Sequence, residues 1–287
     1  MASKVFFTRK ITPEAVAELY KKLDIELGGR VAIKVHSGEK GNQNFLRAPF
    51  WKPVIDMVGG TVVECNTAYE GSRNTTAAHK QTLIDHGWAE LYKTEILDAE
   101  GPDLELSMPY GKKINKNFVG KGIEKYDSLL CLSHFKGHPM GGYGGAIKQL
   151  SIGFASSYGK QYIHGVGVTE DFWNSDHDSF LMSMADAAKS VADFFGGRAA
   201  YINVMANMSV DCDCCAVAED PCIADIGILA SLDPVAIDKA CLDLVYKTDD
   251  KGKGHLIKRI ESRNGALTPK AAADIGLGSL EYDLIEV

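Results

Sequence analysis

The sequence predicts an α/β protein with a mostly parallel sheet covered by helices on both faces. Three observations predict it. Apolar, often β-branched runs such as Val31–Val35, Leu129–Leu132 and Ile226–Ala230 read as buried strands. They alternate with helical segments of ten or more residues. The composition of the 287 residues, 45% hydrophobic and 24% charged, is globular. That length suits a single unit over residues 1–287, with lobes at 1–170 and 171–287 around a crevice as the alternative.

Each element has its own signal. Lys4–Thr8 is a short strand, and Thr12-Pro13 opens a helix to about Leu23 with Thr as N-cap and Pro at the first position. Gly28-Gly29 precedes the strand Arg30–His36, which ends in polar Ser37-Gly38-Glu39. A helix from Pro49 to Val58 and Gly59-Gly60 lead into the strand Thr61–Cys65 and a second polar strand end, Asn66–Arg73. A helix over 75–86 follows, and Tyr126–Ser133 is the next clear strand. Asp178–Phe195 is a long helix, Ala199–Met205 a strand and Ile226–Ala230 another. Asp233-Pro234 then starts a helix whose stripe runs through Ala236, Ala240 and Leu244. Asp249–Lys253 is polar and turn-like.

The strand Tyr126–Ser133 feeds the chemically densest segment, Ser133–Lys148, where His134, Lys136, His138 and Lys148 surround Gly137, Gly141, Gly142, Gly144 and Gly145. Sites in α/β proteins form at strand carboxyl ends, and glycine permits close approach of backbone to ligand. Histidine moves protons or ligates metal, and a desolvated lysine serves as base, nucleophile or anion clamp. A decorated surface turn is the bland alternative. Lys34, inside an apolar strand, either snorkels or faces a carboxylate or a bound anion. His36 stands equally for a structural or a functional group. His79, His86, His177 and His255 read as helix or surface residues, Asp233 and Asp238 as helix-start residues, and Cys65 and Cys131 as core.

A net charge of −7 disfavours nucleic acid and anionic membranes as partners. The start has no apolar core of signal-peptide length and no stretch suits a membrane span, so a cytoplasmic protein is expected. Seven cysteines, unevenly spread, argue against a disulfide framework. Cys212, Cys214, Cys215 and Cys222 fall within eleven residues. Thiolates so crowded need a cation, which an iron–sulfur cluster or zinc would supply; idle thiols are the other reading. Their spacing is neither a ferredoxin run nor paired zinc knuckles. Dinucleotide, Walker, nucleophile-elbow and zincin motifs are missing.

The chain resembles the family designated domain of unknown function 362. The matching pieces run from Val31–Glu39 through Tyr69–Asn74, Ser133–Lys148, Gly159-Lys160, His164 and Cys212–Cys214 to Asp225–Asp238. The resemblance implies an iron–sulfur centre, but many relatives carry ferredoxin-type cysteines after His164, and this chain has none between Cys131 and Cys212. The order His138, Lys148, His164 also resembles the core of nickel-pincer lactate racemases. That second resemblance implies a lysine-held pincer cofactor and acid–base histidines, with Arg73 on a substrate carboxylate and Glu70 in place of the usual Asp.

These readings make four strand-end segments converge on one crevice. The first function class is an iron–sulfur-binding enzyme of redox or hydride/proton-transfer type acting on a small anionic organic acid. His134, His138, Lys148 and His164 would be catalytic, while Lys34, Glu70, Arg73 and Lys136 would bind substrate. A racemase or epimerase of 2-hydroxy acids is a variant of it. The second class is a metal carrier or electron-transfer protein working with a redox partner. A carrier has no need of Arg73 and Lys148 in the same pocket, whereas an enzyme does.

Overall fold

The computed structural model describes residues 2–101 and 103–287. Twelve strands are β1 (Ser3–Thr8), β2 (Val31–Lys34), β3 (Thr61–Glu64), β4 (Thr94–Ile96), β5 (Leu104–Ser107), β6 (Lys116–Val119), β7 (Ser128–His134), β8 (Lys136–His138), β9 (Gly142–Gly144), β10 (Ala199–Met205), β11 (Gly227–Ser231) and β12 (Tyr282–Glu286). The helices are α1 (Pro13–Lys22), α2 (Lys52–Val58), α3 (Thr76–Asp85), α4 (Trp88–Leu91), α5 (Ala146–Leu150), α6 (Ser157–His164), α7 (His177–Phe195), α8 (Pro234–Lys247), α9 (Lys253–Ser262) and α10 (Leu267–Asp274).

Eight strands form one sheet in the order β12-β1-β11-β10-β7-β2-β3-β4. All its pairings are parallel except those of β11, which runs against β10 and β1. The protein is thus α/β with a mostly parallel sheet. The β7–β10 pair joins segments on either side of residue 170. Side chains alternate between two cores: Leu129 and Cys131 face one, Leu130 and Leu132 the other. Both faces are dry, so the strands read as unbroken apolar runs.

Local signals hold. Thr12 accepts from the Ala15 amide at 3.2 Å, and Asp233 accepts from Val235 and Ala236 at 2.8 and 3.0 Å. Two differences matter. The expected turning loop at Ser133–Lys148 is largely buried and contains the β8–β9 ladder and the start of α5. The segment between Met205 and Gly227 contains no helix, and β11 returns antiparallel beside β10. No helix among the described residues is long and apolar enough to cross a membrane.

Candidate active site

The carboxyl ends of β2, β3 and β7 meet α5 and α6 around a cavity of about 50 Å³. Lys34, Arg73, Lys136, Lys148 and Lys160 line it, with His36, Glu64 and His134. Four of these cations are buried and Lys148 is half-buried, so they need either carboxylates or a ligand to hold them.

One side is closed by carboxylates. Glu64 lies 3.0 Å from His79 Nε2, 3.8 Å from Arg73 and 4.0 Å from Lys34 Nζ. It also accepts from the Ser37 amide at 3.2 Å. Burial opposes its charge, but the His79 hydrogen bond and the two cations outweigh burial and hold the carboxyl well below its usual range. Arg73 donates from Nε to Glu39 at 3.1 Å. Burial lowers Lys34 to about 8, against the pull of Glu64.

The cysteine segment packs behind His134 and Lys136. Asp213 accepts from Lys136 Nζ at 2.8 Å and stands 3.0 Å from His134 Nδ1. These cations overcome its burial and hold it far below the usual carboxylate value. The other His134 nitrogen meets the Ala206 carbonyl at 2.6 Å, so both nitrogens are engaged and the ring orients Asp213. Asn42, Gln43 and Asn44 grip the segment through the carbonyls of Cys212, Cys215, Ala218 and Glu219. A Cβ on Gly137 would lie 2.3 Å from the Val210 carbonyl oxygen, so glycine lets β8 press against this segment.

His138, Cys212 and Cys214 bring their ligand atoms within 4.8 Å of one another, a group that could hold a metal ion. The structure does not bring Cys222 to them; its thiol faces the Met208 carbonyl at 3.5 Å. Cys215 touches the thiol of Cys214 but stands outside the group. A four-thiolate shell of the iron–sulfur kind is therefore not assembled. His138 Nδ1 accepts the amides of Met140 and Gly141 at 3.1 and 2.9 Å, which leaves the proton on Nε2, 3.9 Å from Cys214 Sγ. A metal-bound histidine donates from its second nitrogen; this one accepts there, so the group fits a metal poorly through His138. His36 is tied in the same way, its Nδ1 accepting from the Gly38 amide at 3.1 Å. Burial is the largest cause depressing both imidazoles, which are neutral N–H donors.

The remaining side is open. Lys148 Nζ lies 3.8 Å from Cys212 Sγ, and Lys160 Nζ donates to the Ala155 carbonyl. Among the described residues no carboxylate pairs with either ammonium. Asp238 fixes this side by accepting from Ala146 and Ile147 at the start of α5, at 2.8 and 3.0 Å. A Cβ on Gly145 would lie 2.4 Å from Asp238 Oδ1. Burial pushes Asp238 up to about 6, against these amides, Asn203 and Tyr143. It positions Lys148, which follows in the same turn.

A second cavity, of about 180 Å³, adjoins the first through Lys148, Ile152 and Lys160, and His138, His164 and Cys214 line it. His164 stacks on Phe180 at 4.5 Å, and burial lowers it to about 3.

Lys34, Arg73, His134, Lys136 and Lys148 thus share the first cavity, while His138, Lys148 and His164 share the second. Glu70, expected to bind substrate, joins neither: it is exposed and bonded to Asn74 at 3.0 Å, and the carboxylates beside Arg73 are Glu39 and Glu64. Sequence reasoning missed Glu39, Glu64, Asp213 and Lys160. The signal for Glu64 was a charge ending an apolar strand beside Lys34's; Asp213 stood in plain view between two cysteines.

A family model described as a domain of unknown function, DUF362, matches residues 31–243. No curated protein matches the chain. Among solved structures, the lactate racemase apoprotein from Thermoanaerobacterium thermosaccharolyticum is 15% identical with a TM-score of 0.44, over 69% of this chain and 50% of that one. A protein from Thermotoga maritima is 9% identical, also with a TM-score of 0.44, over 92% of this chain and 59% of that one. The chain thus spans between half and three-fifths of the length of these two proteins.

Proposed function

Because the chain belongs to the DUF362 family, whose description assigns no reaction, we propose its function from the site: an enzyme that binds a small organic acid and moves a proton on it. One observation carries the reading. Lys148 and Lys160, two ammonium groups without carboxylate partners among the described residues, share a cavity with Arg73. Lys160 is buried and Lys148 half-buried, and cations so far withdrawn from water are costly unless an anion joins them. A metal carrier gains nothing from them.

The substrate carboxylate lies on Lys148 and Lys160. The neutral Nε2–H of His138 donates to a neighbouring carbonyl oxygen and polarises it while keeping its own proton. Cys212, as thiolate beside Lys148, takes the proton from the adjacent carbon. The C–H bond breaks, an S–H bond forms, and the electron pair passes to the enolate oxygen held by His138. Reversal returns the proton, so no external oxidant or reductant takes part. The two lysines and the redox-neutral step support proton transfer of the racemase or isomerase kind.

Pyruvate in deuterated buffer tests it: its methyl protons should exchange faster with protein than without, followed by proton NMR. Lys148→Met and Cys212→Ala should remove the acceleration. No acceleration, together with no pyruvate-induced shift in melting temperature, would overturn the reading. The close Cys212 and Cys214 thiols carry a second reading, a metal-binding protein that holds its ion chiefly through sulfur. Stoichiometric iron or zinc in anaerobically prepared protein, lost in Cys214→Ser, would establish that reading and exclude Cys212 as base.

A further inference from the structure

The two adjoining cavities differ in chemistry, and the difference points to the shape of the ligand. The first is walled by lysines, Arg73 and Glu64. The second is walled by Ala68, Met140, Ile152, Trp173, Phe180 and Met184. Lys148, Ile152 and Lys160 belong to both, so the unpartnered ammonium groups stand at the junction. A ligand anchored there by its carboxylate has an apolar space immediately beyond its charged end.

We infer that the acid carries an apolar substituent of about aromatic-ring size, seated in this second cavity. The inference rests on the carboxylate-binding reading above and specifies its substrate class. Volume supports it: apolar cavities of roughly 150 Å³ accept benzene, and this one measures about 180 Å³. The walls are suited to an aromatic face, since His164 lies 4.5 Å from Phe180 at 13° and 4.9 Å from Trp173. Trp173 is 45% exposed, as a residue at the mouth of such a pocket would be. One polar atom is left over. His164 is 7% exposed, yet its Nδ1 is buried with no hydrogen-bond partner among the described residues.

Small or purely polar acids would leave the apolar walls wet. An apolar molecule without a carboxylate would leave Lys148 and Lys160 unpaired. An acid with a ring two or three bonds from its carboxylate satisfies both cavities.

Calorimetric titration of the full chain with acetate, 3-phenylpropionate and 3-phenylpropan-1-ol tests this. Burial of the ring should make 3-phenylpropionate bind roughly ten- to hundredfold tighter than acetate. The alcohol should bind at least tenfold more weakly than 3-phenylpropionate. Ala68→Phe, which fills the second cavity, should lower 3-phenylpropionate affinity at least tenfold more than acetate affinity. Lys160→Met should weaken both acids.

Equal affinity for the two acids, both lost in Lys160→Met, would overturn the inference and leave the carboxylate reading standing. Equal affinity for alcohol and acid would overturn the inference by showing an apolar cavity indifferent to charge. Failure of both acids to bind would overturn the inference and the carboxylate reading together.

Discussion

The two sides of the crevice carry similar side chains in opposite states. On the side built by β2, β3 and α3, every charge has an opposite charge: Lys34 and Arg73 flank Glu64, which also hydrogen-bonds His79, and Glu39 completes Arg73. On the side built by α5 and α6, Lys148 and Lys160 have a sulfur and a backbone carbonyl for company. A paired, buried network holds a fold together; an incomplete one waits for a ligand. The difference assigns structure to the first side and binding to the second.

The largest effect expected from this comparison is on the paired side. Glu64→Ala leaves three buried basic groups facing one another without their shared carboxylate. Breaking a buried pair from one partner costs about 3–5 kcal/mol, to be measured by urea unfolding at pH 7. A loss below about 1 kcal/mol would break the comparison. If Glu64→Ala does not fold, Glu64→Gln keeps the shape and tests the charge. The sign with pH follows from the depressed carboxyl. Its stabilisation is complete above the ordinary value of 4.5 and is lost as pH falls through the lower folded value. Wild-type protein should therefore lose more stability on acidification than Glu64→Gln.

Asp238→Asn comes next, and acts on the open side. Removing one carboxylate oxygen from under the amides of α5 should cost about 1–3 kcal/mol. It should also weaken acetate binding by loosening Lys148. Unchanged acetate affinity at reduced stability would make Asp238 a core residue with no positioning role.

Much of this was legible beforehand. Val31–Lys34, Leu129–Leu132 and Ala199–Met205 identified themselves because strands wet on neither face need no polar residues. Thr12 and Asp233 marked helix starts because orphan amides select such caps. The direction of β11 was not legible: an apolar run packs equally well either way, and the neighbours decide. The density of Ser133–Lys148 located the site, but its charge pairing depended on strand order. Glu70, three residues before Arg73, was expected to bind substrate beside it, yet Glu70 faces solvent and Glu39 reaches Arg73 from the loop after β2. Lys160 was hidden as an ordinary helical lysine in α6, buried only because α6 packs over the cavity.

Lys34→Met sharpens the boundary between the two sides through pH. Lys34 falls from 10.5 unfolded to about 8 folded. Between these values the unfolded chain binds the extra proton, so wild-type stability should gain from this group as pH rises. The gain is at most about 1.4 kcal/mol per pH unit. The difference between wild type and Lys34→Met, followed by urea unfolding from pH 7 to 9.5, should therefore grow in favour of wild type. A flat difference would mean that Lys34 stays charged in the fold, held by Glu64, and is as firmly paired as Arg73.

Lys160→Met should have the smallest effect on stability, and that smallness is its point. The ammonium is 6% exposed by residue, has no carboxylate partner among the described residues, and burial lowers it below its ordinary value. Methionine keeps the length and apolar stem of lysine while removing the desolvated charge. Its one hydrogen bond, to the buried Ala155 carbonyl, is lost, which offsets the gain from removing the charge. We expect stability within about 1 kcal/mol of wild type, in either direction, by urea unfolding without ligand. Under the same conditions acetate should no longer raise the melting temperature, because mass action needs a bound state to act on. A loss of about 3 kcal/mol or more, with the acetate shift intact, would move Lys160 to the paired side and leave Lys148 as the lone anion clamp.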